Sequence, residues 1–304
     1  MAEPAEADKR AGFVALIGAP NVGKSTLLNA LVGAKISIVT PKVQTTRTLI
    51  RGIAMEGPAQ LVFVDTPGIF SPRRRLDRAM VQSAWASSHD ADLVVLAIDA
   101  KKGVKDDEEA ILSLLGEVRA AKVLVLNKVD LVDKPALLAL AQALNEKISF
   151  AATFMVSARS GDGVADLKSF LAAHVPAGPW LYPEDQISDA PLRQLAAEIT
   201  REKLYLRLHQ ELPYQSTVET EVWKELRDGA VRIEQTIYVE RDSQRKIVLG
   251  KAGQAIKAIG AAARADIAKA IEQPVHLFLH VKVREGWGDD PERYREMGLA
   301  FPKE

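Results

Sequence analysis

A doubly wound α/β domain followed by a smaller α+β domain is the fold class this sequence predicts, and three observations carry the prediction. The first is the stretch Gly18-Ala19-Pro20-Asn21-Val22-Gly23-Lys24-Ser25, set between the apolar run 13–17 and the amphipathic run 26–31. The second is a continuous apolar run at 61–64 and two strand-like runs, 92–98 and 122–126, apolar after a charged first residue, all fit for buried parallel strands. The third is the order of elements in the second half, α-β-β-α-α-β, with Gly250-Lys251-Ala252-Gly253 between its two central helices.

The glycine-rich stretch has the form G-x-x-x-x-G-K-S, and chemistry explains its residue types. Glycines let the backbone curl until successive N–H groups point inward at phosphate oxygens. The helix that follows adds unpaired N-terminal donors and the positive end of its dipole. Lys24 is expected to reach the β- and γ-phosphates, and the Ser25 hydroxyl to ligate Mg²⁺. With Thr26 at the helix start, residues 18–26 form the expected nucleotide loop.

Three more motifs follow apolar runs. Asp65-Thr66-Pro67-Gly68 comes after 61–64, where Asp65 can hold the Mg²⁺ shell and the Gly68 N–H can bond a γ-phosphate. Asn127-Lys128-Val129-Asp130 ends the run 122–126. Guanine offers two adjacent donors that the Asp130 carboxylate can accept, whereas adenine would leave it unpaired. Asn127 can bridge the base edge to the phosphate loop, and the Lys128 stem can cover the ring face. Ser157-Ala158 follows the run 153–156, with the Ala158 N–H expected at guanine O6. Motifs at the carboxyl ends of successive strands predict a P-loop domain that binds GTP. The polar, threonine-rich segment 40–48 lies where a nucleotide switch needs a second Mg²⁺ ligand, although many such segments are only loops. After Gly68 stands Ile69, where many GTPases place a glutamine that orients water. Isoleucine has no polar atom, so slow intrinsic turnover is expected, with help from another group, a cation or a backbone-held water.

The length, 304 residues, suits two domains, and 47% hydrophobic with 26% charged residues is ordinary for a globular protein. Lys plus Arg equals Asp plus Glu at 40 each, so a nucleic-acid surface must be local. The absence of cysteine excludes disulfides, thiolate zinc sites and thiol catalysis. The five histidines show no metal-ligand spacing. Acidic residues near the N-terminus do not suit a signal peptide, and no apolar run could span a bilayer, so a cytoplasmic protein is expected.

The organisation read from these features is a flexible N-terminus at 1–10, a GTP-binding domain at 11–175, a Pro-rich linker at 176–190, a second domain at 191–285 and a tail at 286–304. In the second domain a helix is expected from about 192 to 212, broken by Pro213, with strands at 218–223, 231–239 and 275–281. This order, with G-x-x-G between the central helices, matches a type II KH RNA-binding domain. Ile247, Gly250, Lys251, Ala252, Gly253 and Lys257 are its expected RNA-facing residues. Arg241, Arg245, Lys246, Lys251, Lys257, Arg264 and Lys269 stand against only Asp242 and Asp266 there, with a solvated helical face as the alternative. Arg73-Arg74-Arg75 is read as a solvated charge run, with RNA or interdomain contact as the alternative.

A GTP-binding domain joined to a C-terminal KH domain resembles the Era family of bacterial GTPases over nearly the whole chain. The resemblance rests on residues 18–25, Gln44-Thr45-Thr46-Arg47, Asp65-Thr66-Pro67-Gly68-Ile69, Asn127-Lys128-Val129-Asp130, Glu211-Leu212-Pro213-Tyr214 and Gly250-Lys251-Ala252-Gly253. It implies GTP and GDP as ligands, binding near the 3′ end of 16S ribosomal RNA, a role in 30S subunit maturation, and peripheral contact with the inner membrane; no DNA partner is expected. It makes Thr46 the switch threonine and third Mg²⁺ ligand with Ser25 and Asp65, and Lys24, Thr46 and Gly68 the catalytic set. It also gives Asn21 a part in holding a monovalent cation such as K⁺. Arg159 departs from the commoner lysine, where only a backbone contact is expected. Two other readings compete: an RNA-binding module that uses GTP only as a structural ligand, and a membrane-associated signalling GTPase.

Overall fold

The apolar runs of the first half become strands of one sheet. The chain forms β1 (Arg10–Ile17), α1 (Lys24–Val32), β2 (Ile50–Glu56), β3 (Ala59–Asp65), α2 (Arg75–Asp90), β4 (Leu93–Asp99), α3 (Asp106–Leu115), β5 (Ala121–Asn127), α4 (Lys134–Lys147), β6 (Ala152–Val156) and α5 (Val164–His174). The computed structural model describes residues 8–42, 45–72, 74–208, 216–286 and 290–302. Strand order is β2-β3-β1-β4-β5-β6. All pairings are parallel except the β2–β3 hairpin.

Alternation along the strands builds two cores, one on each face of the sheet. Val14, Leu16, Phe63 and Val125 pack with Leu27 of α1 and Leu167 of α5. Ala15, Ile17, Leu96 and Leu126 pack with Ala84 of α2, Ile111 of α3 and Leu137 of α4. β1 pairs with β3 on one side and β4 on the other, so the crevice of an open α/β sheet opens at its carboxyl end. The phosphate loop leaves the sheet there.

The sheet is mixed rather than all parallel, because β2 is a strand that hydrophobic periodicity does not reveal. Its burial does not alternate: Gly52, Ile53 and Ala54 are all buried in succession. The N-terminal expectation needs correcting at its last residue. Residues 1–7 lie outside the described residues, but Arg10 opens β1 and its Nε donates to Val175 O at 2.9 Å. The Pro-rich stretch is no free tether either. Leu181 and Tyr182 N–H donate to buried Gln60 Oε1 at 2.8 and 3.0 Å, and Ile53 N–H donates to Ile187 O at 2.9 Å.

Contact density divides the chain into two compact units, one of residues up to 37, 46–189 and from 294, the other of 38–45 and 190–293. The tail is therefore shared: it belongs to the first unit only from Tyr294, where Leu299 is buried and the Arg75 guanidinium lies 5.1 Å from the Phe301 ring centroid, after a short helix (Pro291–Glu296). Arg74 and Arg75 are thus not a plain solvated run, since the Arg74 N–H also donates to Asp77 Oδ2 at 2.9 Å to cap α2; Arg73 lies outside the described residues.

In the second unit, α6 (Leu192–Arg207), β7 (Ser216–Glu225), β8 (Val231–Val239), α7 (Asp242–Leu249), α8 (Gln254–Ile271) and β9 (Val275–Val283) follow the expected order. The sheet runs β7-β8-β9, antiparallel then parallel. Its inner face packs on α6 and α8 through Ile199, Leu204, Ile233, Ile237, Ile259 and Ile267. α6 ends at Arg207 rather than near 212: Leu208 turns extended and buries its side chain in this core. Glu211-Leu212-Pro213-Tyr214 lies outside the described residues. Segment 38–45 is held on α6, with Val39 N–H donating to Glu202 Oε1 at 2.9 Å and buried Arg201 donating to Thr45 O.

The missed strand gives a stability prediction. A Cβ on Gly52 would lie 2.4 Å from Ile36 Cδ1 and 2.8 Å from Leu28 Cδ1. Gly52→Ala should therefore overpack the contact of β2 with α1 and cost about 1–3 kcal/mol, seen as a lower urea midpoint.

Candidate nucleotide site

The phosphate loop takes its shape from neighbours that crowd it. Gly23 sits at φ 100°, and a Cβ there would lie 2.3 Å from Asn127 Nδ2. Only glycine meets both conditions. Asn21 adopts φ 64°, a region that asparagine tolerates. Buried Lys24 opens α1 and its Nζ donates to Gly18 O at 3.0 Å and Ala19 O at 3.1 Å, so the ammonium is caged by loop carbonyls. Burial pulls its pKa down to about 8, against the opposing charge of Asp65.

Asp65 ends β3 and is fully buried. Its Oδ2 accepts from Ser25 Oγ at 2.7 Å, Ser37 Oγ at 2.8 Å and Thr46 Oγ1 at 3.3 Å, and Ser25 and Thr46 hydroxyls lie 2.9 Å apart. Asp65 Oδ1 is buried with no hydrogen-bond partner among the described residues. Burial raises the pKa of this carboxyl above its usual range, with the hydroxyl bonds and Lys24 working against the rise. The next residues are tied back to the loop: Thr66 Oγ1 donates to Leu16 O at 2.7 Å and Ile69 N–H to Gly18 O at 3.1 Å. A Cβ on Gly68 would come within 2.9 Å of Pro20, and Ile69 is buried in the core beside Ala19 and Val22. Three of the sequence-derived motif residues, Ser25, Thr46 and Asp65, thus converge on one point; Gln44 lies outside the described residues.

The strand ends beside them form a second cluster. Asn127 Nδ2 donates to Val22 O at 2.8 Å, while its Oδ1 accepts from Lys128 N–H at 2.8 Å and Ala158 N–H at 3.0 Å. The Ala158 N–H, expected at guanine O6, is therefore directed at Asn127, and a base would share it. Lys128 stands at φ 65° and its Nζ donates to Asn21 O and Asp99 Oδ2, both at 2.7 Å. Buried Asp99 at the end of β4 is a site residue that the sequence reading missed. Its signal, an acid closing a buried strand, is the one that exposed Asp65. Val129 and Asp130 follow in a short 3₁₀ turn that leaves Asp130 exposed, and Ser157 N–H donates to Asp162 O at 3.0 Å. Thr26 is half-buried on α1.

In the second unit the turn Gly250-Lys251-Ala252-Gly253 joins α7 to α8 with Lys251 and Ala252 exposed. Gly250 has φ 71°, and a Cβ there would lie 2.6 Å from Ala255 Cβ. Ile247 is 57% exposed, an apolar side chain left facing solvent beside the turn, and Lys257 is exposed one helical turn further on. Arg241, Arg245, Lys246, Arg264 and Lys269 are exposed as well. Asp242 pairs with both Arg245 and Lys246, at 3.5 and 3.2 Å. Among the described residues no cluster of His, Cys, Asp or Glu could hold a metal, and no helix is long and apolar enough to cross a membrane.

Comparison with known proteins matches both units. The model of the "50S ribosome-binding GTPase" family covers residues 13–128 and that of the KH domain residues 211–288. The GTPase Era of Afipia carboxidovorans is 70% identical over 97% of this chain and 96% of its own length. The chain belongs to the Era family of GTPases. Era of Rhizobium meliloti is 68% identical over 97% of the chain and 94% of its own length. A crystal structure of Era with MgGDPNP and nucleotides 1506–1542 of 16S ribosomal RNA matches with TM-score 0.91 and 36% identity, over 96% of this chain and 99% of that one. A single-residue variant of Aquifex aeolicus Era, bound to GDP and AlF₄⁻, matches with TM-score 0.90 at the same identity and coverage. As an Era-family GTPase, the chain hydrolyses GTP.

The caged Lys24 makes stability depend on pH. With a native pKa near 8 and an ordinary value of 10.5, the unfolded chain binds more protons between these limits. Stability of the nucleotide-free protein therefore rises with pH across that window. Lys24→Met removes this rise, which amounts to at most about 3 kcal/mol, and urea unfolding of both proteins at pH 7.5 and 10 measures it. Nucleotide binding by the variant should be lost.

Proposed function

We propose that this GTPase binds 16S ribosomal RNA near its 3′ end through the KH domain at 191–285 and acts in maturation of the 30S subunit. The observation that carries the reading is the likeness, over both units, to an Era solved with MgGDPNP and nucleotides 1506–1542 of 16S RNA. The matching family description names the 50S subunit, but it covers only residues 13–128. The RNA complex covers the KH domain too, so the small subunit is the better-supported partner. In this reading the protein works in the cytoplasm, with peripheral contact at the inner membrane.

The residue roles follow from the site's chemistry. Residues 18–26, with Lys24, would wrap the phosphates, and Asp130 would accept the guanine donors above Lys128. Ser25, Thr46 and Asp65 would hold Mg²⁺. An all-oxygen donor set suits that hard cation, and Asp65 Oδ1, partnerless beside the oxygen on which the hydroxyls meet, leaves coordinating capacity. When bound, Mg²⁺ supplies positive charge against the phosphate oxygens. Lys24, leaving its loop carbonyls for the β- and γ-phosphates, would add a second cation, and the Gly68 N–H a donor. Ile69, buried and apolar, leaves water orientation to another group, for which a monovalent cation near Asn21 is our candidate.

Two variants test the halves of the reading. Asp130→Asn puts a donor against a donor, and GTP affinity should fall by roughly 10³-fold, with XTP binding restored in equilibrium titrations. Lys251→Asp with Ala252→Asp sets two negative charges where RNA backbone should pass. Binding of a 16S 3′-end oligonucleotide should be nearly abolished, and its salt dependence reduced. GTP affinity should stay at the wild-type value. RNA binding that survives both charges at moderate salt would overturn the KH assignment.

A further inference from the structure

Ser37 belongs to none of the nucleotide motifs, yet it is fully buried and donates its hydroxyl to Asp65 Oδ2 at 2.8 Å. One side chain fixes its backbone. Asn29 Nδ2 donates to Ser37 O at 2.8 Å, and Asn29 Oδ1 accepts from Ser37 N–H at 2.9 Å and Ile36 N–H at 3.0 Å. Asn29 lies on α1 four residues beyond Ser25, so both side chains project from one face of the same helix. The first unit's chain also leaves off at Ser37, before segment 38–45, and resumes at Thr46. Ser37 is therefore tied to α1 just where the chain leaves the first unit.

The three hydroxyls on Asp65 Oδ2 are not equivalent. Ser25 and Thr46 are proposed Mg²⁺ ligands, so their oxygens have a second claim on them. Ser37 is not among those ligands, so its bond to Oδ2 does not depend on where the metal sits. We infer that Ser37, latched by Asn29, is a positioning residue that holds the Asp65 carboxylate in register for Mg²⁺. The inference rests on the Mg²⁺ reading of Asp65. A hydrogen bond to a metal-ligating carboxylate typically changes metal affinity by about 10–100-fold when removed, and burial strengthens it.

The test is the release rate of a fluorescent GDP analogue from the full-length protein as free Mg²⁺ is varied. Bound Mg²⁺ and bound nucleotide stabilise each other by linkage, so the midpoint of this curve reports metal affinity at the site. Ser37→Ala should move the midpoint to about tenfold higher Mg²⁺ while analogue affinity in excess EDTA stays unchanged. Ser37→Cys, similar in size but a weak donor, should move it in the same direction and guards against a packing defect. Asn29→Ala should do likewise, and the double variant should do no more than the stronger single one, because both act through one bond. A lowered melting temperature with the midpoint at the wild-type value would overturn the inference, since it would leave Ser37 a purely structural role. If release from the wild-type protein ignores Mg²⁺ altogether, the Mg²⁺ reading itself fails and takes the latch with it.

Discussion

The nucleotide half of this protein depends on one buried carboxylate. Asp65 closes β3 and receives hydroxyls from α1, from the turn after α1 and from the residue where the chain re-enters the first unit. Without a cation those hydroxyls keep the charge tolerable in a fully buried position, where an unpaired carboxylate would be very costly. Burial still lifts its pKa. The site is thus held short of full satisfaction, with one oxygen unpartnered. Lys24 is in a matching state, its ammonium hydrogen-bonded to loop carbonyls with Asp65 as the nearby anion. Both groups are arranged at some cost to the folded chain, and in the proposed function a metal and a phosphate would relieve that cost on binding.

The strand ends around Asn127 are tied to the phosphate loop by polar side chains rather than by apolar packing. Asn127 bonds Val22 and Ala158, and Lys128 bonds Asn21 and Asp99, so the ends of β4 and β5 and the start of the loop after β6 hold the loop from outside. The strands that deliver these residues are rigid because both faces are buried, Val125 toward one core and Leu126 toward the other. That rigidity is what lets a few hydrogen bonds set geometry at the site.

What was legible in the sequence had a local cause. The phosphate loop, Asp65-Thr66-Pro67-Gly68 and Asn127-Lys128-Val129-Asp130 declare themselves because each follows a buried strand and carries residues a nucleotide needs. The order α-β-β-α-α-β was legible because alternation and helical periodicity differ. What stayed hidden is set by tertiary contact. β2 buries consecutive residues against Ile36 and Leu28 and shows no period. Asn29 and Ser37 are polar residues whose partners lie outside any motif, and Asp99 matters only once Lys128 reaches it. Gln60, fully buried in β3, reads as an error until Leu181 and Tyr182 supply its donors. The return of the tail to α2 through Phe301 had no local signature at all.

The strap that follows α5 has a consequence for how the molecule behaves among copies of itself. β2 is the outermost strand of the sheet beside β3, and a strand in that place offers an open row of amides and carbonyls to any neighbouring chain. Here Ser188 bridges Gly52, Ile53 N–H donates to Ile187 O, and the Ser188 hydroxyl donates to Arg51 O at 2.9 Å. Arg51 itself, pairing outward with Asp189 at 2.9 Å, sets charge along the same rim. The prolines that mark this stretch as irregular in the sequence thus belong to a guard rail, one that denies this edge of the sheet to intermolecular strand addition.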